Sequence, residues 1–392
     1  MGAQPSYDPF SYEIHADPYP VYRELREQAP AYFNDKHGFW ALSRYDDVHT
    51  ALLDHATYCS SRGFTLEDIG DFTLPMLLGM DPPDHARLRS TINRALTPRR
   101  VADLETPVRA LAGELLAAIV HTGRGDLIAD FAAVLPIAVI ARMLGVPSPD
   151  QPELRCLSDQ MVHREDGTQG VPESGKQAAA RIYQYFEGLL ATRGKDDADD
   201  LLSLLLAAEQ RGEISHVEIL GFCFLLIVAG NETTTKLIGN MAYQLSRNPD
   251  QRAVLIERPS LIPNAIEEVF RFDSPTHMMA RTLTRDVTLH GRTMEKGCKV
   301  ALILASANRD ERRWSHPDVF DVTRDASEHV GLGYGIHHCM GAALARLEGR
   351  VALEEILAVM PDFDVDYAGL ARVHSGNVRG FSKVPITFTP VR

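Results

Sequence analysis

The chain has 392 residues, 45% of them apolar and 24% charged, with a formal net charge of −13. This composition excludes disordered, coiled-coil and low-complexity architectures, and the acidic balance excludes a generic nucleic-acid binder, which needs a basic face for phosphate. Five scattered cysteines, Cys59, Cys156, Cys223, Cys298 and Cys339, include no CxxC pair, which excludes a disulfide framework and suits a reducing cytoplasm.

Length alone favours two domains over one. The opening residues, MGAQPSYDPFSYEIH, lack the basic and apolar segments of a secretory leader, so the protein is expected to stay where it is made. Helical patterning dominates from about Thr106 to Ser246, broken by Pro, Gly and Asp clusters at 145–152, 164–175 and 194–200. The acidic run Asp196, Asp197, Asp199, Asp200 lacks the Gly and terminal Glu of a calcium loop and reads as a solvated turn.

Ser215 followed by Glu218 is a capping-box pattern, and no proline follows until Pro249. A helix of about 32 residues, roughly 48 Å long, is expected there. Its first half, ILGFCFLLIVA, is apolar on every face but too short to span a bilayer, so it is expected to be packed on all sides. At the end of that stretch stand Ala229, Gly230, Asn231, Glu232, Thr233 and Thr234, poor helix formers in mid-helix. Gly230 removes a side chain where a ligand could approach, and Thr233 can bond a carbonyl in the preceding turn and open the helix. A carboxylate beside an alcohol is a plausible proton relay. The alternative is that Glu232 pairs with an arginine and the threonines pack in the core.

Next along the chain, PNAIEEVFRFDSP predicts a short helix from Pro263 to Ser274 that places Glu268 and Arg271 on one face, with Arg324 a candidate third member; a surface ion pair is the alternative. After Pro275 the runs VTLHG, KVALIL and VPITFTP read as short strands. The expected fold is therefore mainly α with small β-sheets near the end of the chain.

The stretch GLGYGIHHCMGAALAR presents one cysteine between glycines at the start of a helix. Zinc is a poor reading, because adjacent residues rarely close one tetrahedral site. A phosphate loop needs a glycine spacing that Gly331, Gly333 and Gly335 do not give. A single thiolate shown to a large flat cofactor suits the residues best, and heme iron accepts a lone Cys ligand.

These residues resemble the heme-binding loop of the cytochrome P-450 superfamily, of the soluble bacterial type. AGNETT looks like that family's oxygen-activation motif and EEVFR like its E-x-x-R motif, while SANRD, FDVTR and DPPDHARLR fall in matching places, so the resemblance covers nearly the whole chain. It implies one α-rich domain over residues 1–392, replacing the two-domain expectation, with heme b held between the long central helix and the Cys loop. It further implies that Cys339 is the axial thiolate, within a loop that includes Leu332, Gly333 and Gly341, and that His85, Arg89, Arg281 and His337 meet the propionates. Glu232 and Thr233 would deliver protons to dioxygen, Ala229 and Gly230 would border its pocket, and Glu268, Arg271 and Arg324 would be structural. Leu332 and Leu96 stand where the family usually has Phe, and Leu332 could change the solvation of the sulfur.

The implied substrate pocket is bounded by residues 62–79 with Phe64, by Leu225, Val228 and Ala229, by His277, Met278 and Met279, and by Val378. These are mainly apolar, so a hydrophobic organic substrate is expected, with His277 as a polar exception. The chain shows no flavin or iron–sulfur signature. By resemblance a ferredoxin and its reductase would supply electrons, docking on Arg94, Arg99, Arg100, Arg346 or Arg350. The leading expectation is a cytoplasmic monooxygenase; a peroxide-driven or rearranging heme-thiolate enzyme, or a heme-based binder without turnover, are the alternatives.

Overall fold

The computed structural model describes residues 5–67, 75–193 and 200–390. Its axis is the helix that the capping box starts: Ser215 Oγ accepts from Glu218 N, and Glu218 Oε2 accepts from Ser215 N at 2.8 Å. The helix runs 32 residues, His216–Arg247. It is long and apolar enough to cross a membrane by length alone, but 61% of its most apolar window is buried inside the protein. Thr233 Oγ1 donates to the Ala229 carbonyl at 2.7 Å, and the preceding turn, Leu226–Gly230, is widened into a π-turn. A hydroxyl inserted into the backbone ladder is a known cause of such a bulge.

Two helical cores grow around this axis. Ile219, Leu220, Phe222 and Ile227 pack with the helices Val134–Leu144, Gln151–Val162 and Glu173–Thr192. Leu237, Ile238 and Met241 pack with Ile262–Phe272 and Ala342–Val359. The mainly α fold with small sheets is therefore as expected, but the sheets are not confined to the end of the chain. The largest, five-stranded, has the order Ala31–Asn34, Phe39–Leu42, Lys299–Leu302, Met279–Leu283, Tyr58–Cys59. Phe39–Leu42 lies parallel to Lys299–Leu302, Trp40 opposite Val300. All four residues of FWAL are buried, so the strand lacks the alternation by which a half-exposed strand betrays itself. The predicted VTLHG strand forms a hairpin, Val287–Leu289 with Arg292–Met294, and His290 and Gly291 take positive φ (52° and 73°) at its two-residue turn.

Glu268 and Arg271 are both completely buried and joined by bonds of 2.7 and 2.8 Å. Arg271 also donates to the carbonyls of Asn308 and Pro317, each at 2.9 Å. Arg324 reaches Glu268 at 3.3 Å and Ser315 O at 2.7 Å, and Asp321 N donates to Glu268 at 3.0 Å. The predicted trio thus meets in space, inside the protein. Of the acidic run, Asp200 caps the helix Leu201–Gln210 through Ser203 N and pairs with Arg193 at 2.6 Å; the other three aspartates lie outside the described residues.

Candidate heme site

Residues 331–341 form a loop that ends against the N-terminus of the helix Ala342–Val359. Two glycines seat it. A side chain on Gly331 would collide with the Phe270 carbonyl, and one on Gly335, at φ 67°, would meet the Leu52 carbonyl at 2.8 Å. The loop therefore rests on the E-x-x-R helix and on Tyr45–Leu53. Inside the loop, Cys339 N donates to Leu332 O at 2.8 Å, and a Cβ on Gly341 would lie 3.9 Å from the sulfur. Burial pushes the Cys339 thiol up, against the opposing pull of the Gly341 amide, Arg89 and Arg346. Such a thiol ionises when a metal takes it.

Beside the loop, Arg281, His85 and His337 converge. Arg281 is 3% exposed, donates to the Ala280 carbonyl at 2.7 Å, and has no carboxylate within ion-pair distance among the described residues. Burial lowers its pKa to about 10. The His85 and His337 rings lie 4.4 Å apart. His85 Nε2 is buried without a hydrogen-bond partner among the described residues. His337 Nε2 meets Ser60 Oγ at 3.1 Å, and burial, then Arg281 and His85, lower its pKa to about 3. The nearby Asp81 accepts from the Ser60 and Ser61 amides at 3.0 and 2.9 Å. A buried guanidinium without a counter-ion is costly, so this corner is built for a ligand bearing negative oxygens. Arg89, expected with this group, instead donates to the carbonyls of Ile336 (2.8 Å) and His338 (2.6 Å), and so clamps the Cys loop to its own helix, Asp84–Ala95.

Above the loop, the central helix is buried on most of its surface but leaves one stripe open. Leu225 and Val228 are half-buried, Ala229 is exposed and Thr233 is half-buried, at helical spacing. Gly230 does not belong to the stripe: a Cβ there would strike Ile140 on the neighbouring helix at 2.7 Å, so its missing side chain serves helix packing, a correction to its placement beside the oxygen pocket. Glu232 is 2% exposed and turned to Lys236 Nζ, 3.0 Å away, and to the Asp159 carboxyl. The acid and the alcohol therefore have separate partners.

The pocket walls divide by strand alternation. Met279 and Arg281 share one face of Met279–Leu283; Ala280, like Met278, packs with Tyr7, Tyr22 and Leu66 in the N-terminal core, where the Tyr7 hydroxyl lies 3.7 Å from the Met278 sulfur. Met278 is thus core rather than pocket wall. His277 is also corrected: its Nδ1 lies 3.2 Å from the Tyr22 hydroxyl, and with Val378 it lines a small cavity among Tyr7, His15 and Arg379. Phe64 packs against Gly79 and its carbonyl accepts from Ala280 N at 3.0 Å; residues 68–74 of the expected wall lie outside the described residues. The predicted basic face is largely neutralised: Arg94 pairs with Glu213, Arg346 with Glu267 at 2.7 Å, and Arg350 with Glu105 at 2.7 Å. Sequence reasoning missed Ser60, Asp81, Asp159 and Lys236; of these only Lys236, one turn beyond Glu232, carried a local signal.

A lone, half-buried thiol at a helix N-terminus, beside a buried arginine without an ion-pair partner among the described residues, fits a flat metal-bearing macrocycle with carboxylates, the heme-thiolate class of proteins. The Cytochrome P450 family's sequence model matches residues 169–365. The putative cytochrome P450 123 of Mycobacterium tuberculosis is 40% identical over 97% of this chain and 96% of its own length. The vitamin D(3) 25-hydroxylase of Pseudonocardia autotrophica is 39% identical over 98% of this chain and 97% of its own. The crystal structure of CYP109E1 from Bacillus megaterium in complex with testosterone superposes with a TM-score of 0.90 at 30% identity, covering 97% of this chain and all of that one. The chain belongs to the cytochrome P450 family and is a monooxygenase of that family.

Proposed function

We propose that the protein oxygenates a hydrophobic organic molecule on a bound heme b, using dioxygen and electrons from a ferredoxin and its reductase, as one domain working in the cytoplasm. The observation that carries the substrate class is the apolar stripe Leu225, Val228, Ala229 on an otherwise buried helix. A flexible methionine, Met279, on the strand face of Arg281 fits the same reading. A relative that hydroxylates vitamin D(3) and a solved structure holding testosterone support a rigid, steroid-sized molecule as the first class to try.

In this reading Cys339 ligates the iron, Arg281, His85 and His337 hold the propionates, and Arg89 fixes the loop that carries the ligand. Gly333, at φ 70°, lets that loop turn, and Gly341 keeps the space beside the sulfur free of a side chain, as a flat cofactor would require. Heme, when bound, supplies dioxygen activation, favoured by the electron density of a thiolate. The chain's own part is to keep water from the stripe, to hold the Thr233 hydroxyl at the open bulge, and to hold a carboxylate, Glu232, at the adjoining helix position on Lys236. Leu332 shields the sulfur side of the loop with an aliphatic rather than an aromatic side chain.

The test is the carbon monoxide difference spectrum of the reduced protein, followed by titration with steroids, secosteroids and fatty acids. A strongly red-shifted Soret band and a spin-state shift with one of these classes are expected. A band at the position of histidine-ligated heme removes the assignment of Cys339.

A further inference from the structure

We infer that Asp159, on the helix Gln151–Val162 that crosses the bulge of the central helix, is a positioning residue that supplies protons from solvent to Glu232. The inference rests on the oxygenase reading above and deepens it, because the family pattern provides an acid and an alcohol but not the group that recharges the acid.

Three observations carry it. First, Glu232 and Lys236 are each 2% exposed, whereas Asp159 is exposed, so Asp159 is the member of the cluster that water reaches. Second, both oxygens of Glu232 are sealed from water, and neither has a well-formed hydrogen bond from a donor among the described residues. Lys236 lies 3.0 Å away as an ion pair, and the remaining group against Glu232 is the Asp159 carboxyl. Two carboxyls in contact with one ammonium hold one proton too few unless one of them is protonated. Placing that proton on Asp159 turns it into the missing donor. Third, Lys236 cannot swing away, since its stem is wedged against Gly380, where even a Cβ would meet Lys236 Cβ at 2.6 Å.

The charges around the pair agree on where the proton sits. Although the residue as a whole reaches the surface, the protein packed around its carboxyl raises Asp159 above the ordinary carboxylate range, and its bond to Glu232 and the charge of Glu232 raise it further, against Lys236 and Arg155. Burial would raise Glu232 as well, but Lys236, the hydrogen bond from Asp159 and Arg155 outweigh it and hold Glu232 ionised. The proton of the pair is therefore favoured on Asp159 rather than on Glu232.

The step balances without another reactant than water and its dissolved acid. Asp159 gives its proton to Glu232, leaving Asp159 as carboxylate and Glu232 as carboxylic acid, and Lys236 keeps its charge. A hydronium or buffer acid then reprotonates Asp159 from the solvent side. The net result is one proton moved from solvent to Glu232, with no opening of the apolar stripe.

Infrared spectra of the resting holoenzyme at pH 7 test this without turnover. The difference between wild type and Asp159→Asn should contain the C=O stretch of one protonated carboxyl that shifts in D2O; any band from another buried acid cancels. A difference spectrum lacking that band overturns the inference. In turnover, Asp159→Asn should lower product formed per electron about 100-fold, the low end of what positioned acids contribute. It should raise peroxide release and the solvent deuterium isotope effect, and leave KM unchanged, with Asp159→Glu restoring coupling. Unchanged coupling overturns the inference. The carbon monoxide spectrum separates the two readings: loss of the red-shifted band in wild type removes the oxygenase function, whereas a red-shifted band with no infrared difference removes only the role of Asp159.

Discussion

The two buried charge clusters of this protein follow opposite rules. In Glu268–Arg271–Arg324 the guanidinium of Arg271 bonds two carboxylate oxygens and the carbonyls of Asn308, Pro317 and Val319, and Asp321 N completes Glu268. In Asp159–Glu232–Lys236 the ammonium stands 3.0 Å from Glu232, whose oxygens have no well-formed hydrogen bond among the described residues. A buried network with every group satisfied rigidifies its surroundings, and one with an unmet group can change its protonation state at little further expense. The first therefore fastens the E-x-x-R helix to the segment that precedes the Cys loop, and the second can take up and release a proton.

The sharpest way to break this contrast is to cut the satisfied network. Glu268→Ala leaves Arg271 as an uncompensated buried cation and should cost about 3–5 kcal/mol, read from denaturant unfolding, with loss of heme retention.

Glu348 provides a third case, a fully buried carboxyl whose Oε2 has no hydrogen-bond partner among the described residues, raised by burial from 4.5 to about 8. A raised folded pKa means that the fold keeps its full stability below the unfolded value and loses it as pH climbs toward the folded one. Glu348→Gln should thus be neutral below pH 4 and stabilising by about 2 kcal/mol or more near pH 8, measured as the change in urea midpoint with pH.

Thr233→Ala removes the hydroxyl from the Ala229 carbonyl and should change stability by only about 1 kcal/mol. Its sharper effect is on coupling: electron consumption should persist while product falls. Undiminished product would place the relay elsewhere. Smallest of all, Arg94→Ala breaks an exposed pair with Glu213 and should shift stability by less than about 0.5 kcal/mol. A slower reduction rate with that unchanged stability would assign Arg94 to partner docking.

Much of the architecture was legible because it is written in local chemistry. Ser215 and Glu218 announce the central helix, the glycines announce the Cys loop, and the three-residue spacing of Glu268 and Arg271 puts them on one face. Thr233, as a hydroxyl inside a helix, also foretold the bulge. What was illegible depends on which distant elements meet. Gly230 reads equally well as a ligand approach or a helix contact until Ile140 is placed against it. His277 and Met278 sit beside Met279 in sequence, yet Met278 and Met279 face different cores because a strand alternates. Asp159 lies 73 positions from Glu232 on a helix whose pattern is ordinary, and the four-residue strands at 31–34 and 39–42 are too short to declare themselves, the second being also buried throughout.

The parallel pairing of Phe39–Leu42 with Lys299–Leu302 also dictates when the molecule can be finished. On a ribosome, the early strand emerges long before its partner exists. At 5–20 residues per second it waits roughly 13–50 s for the late one. Through that interval its apolar FWAL segment has one of its two sheet partners, Ala31–Asn34. The Cys loop is made later still, so heme capture on Cys339 is one of the last acts of synthesis.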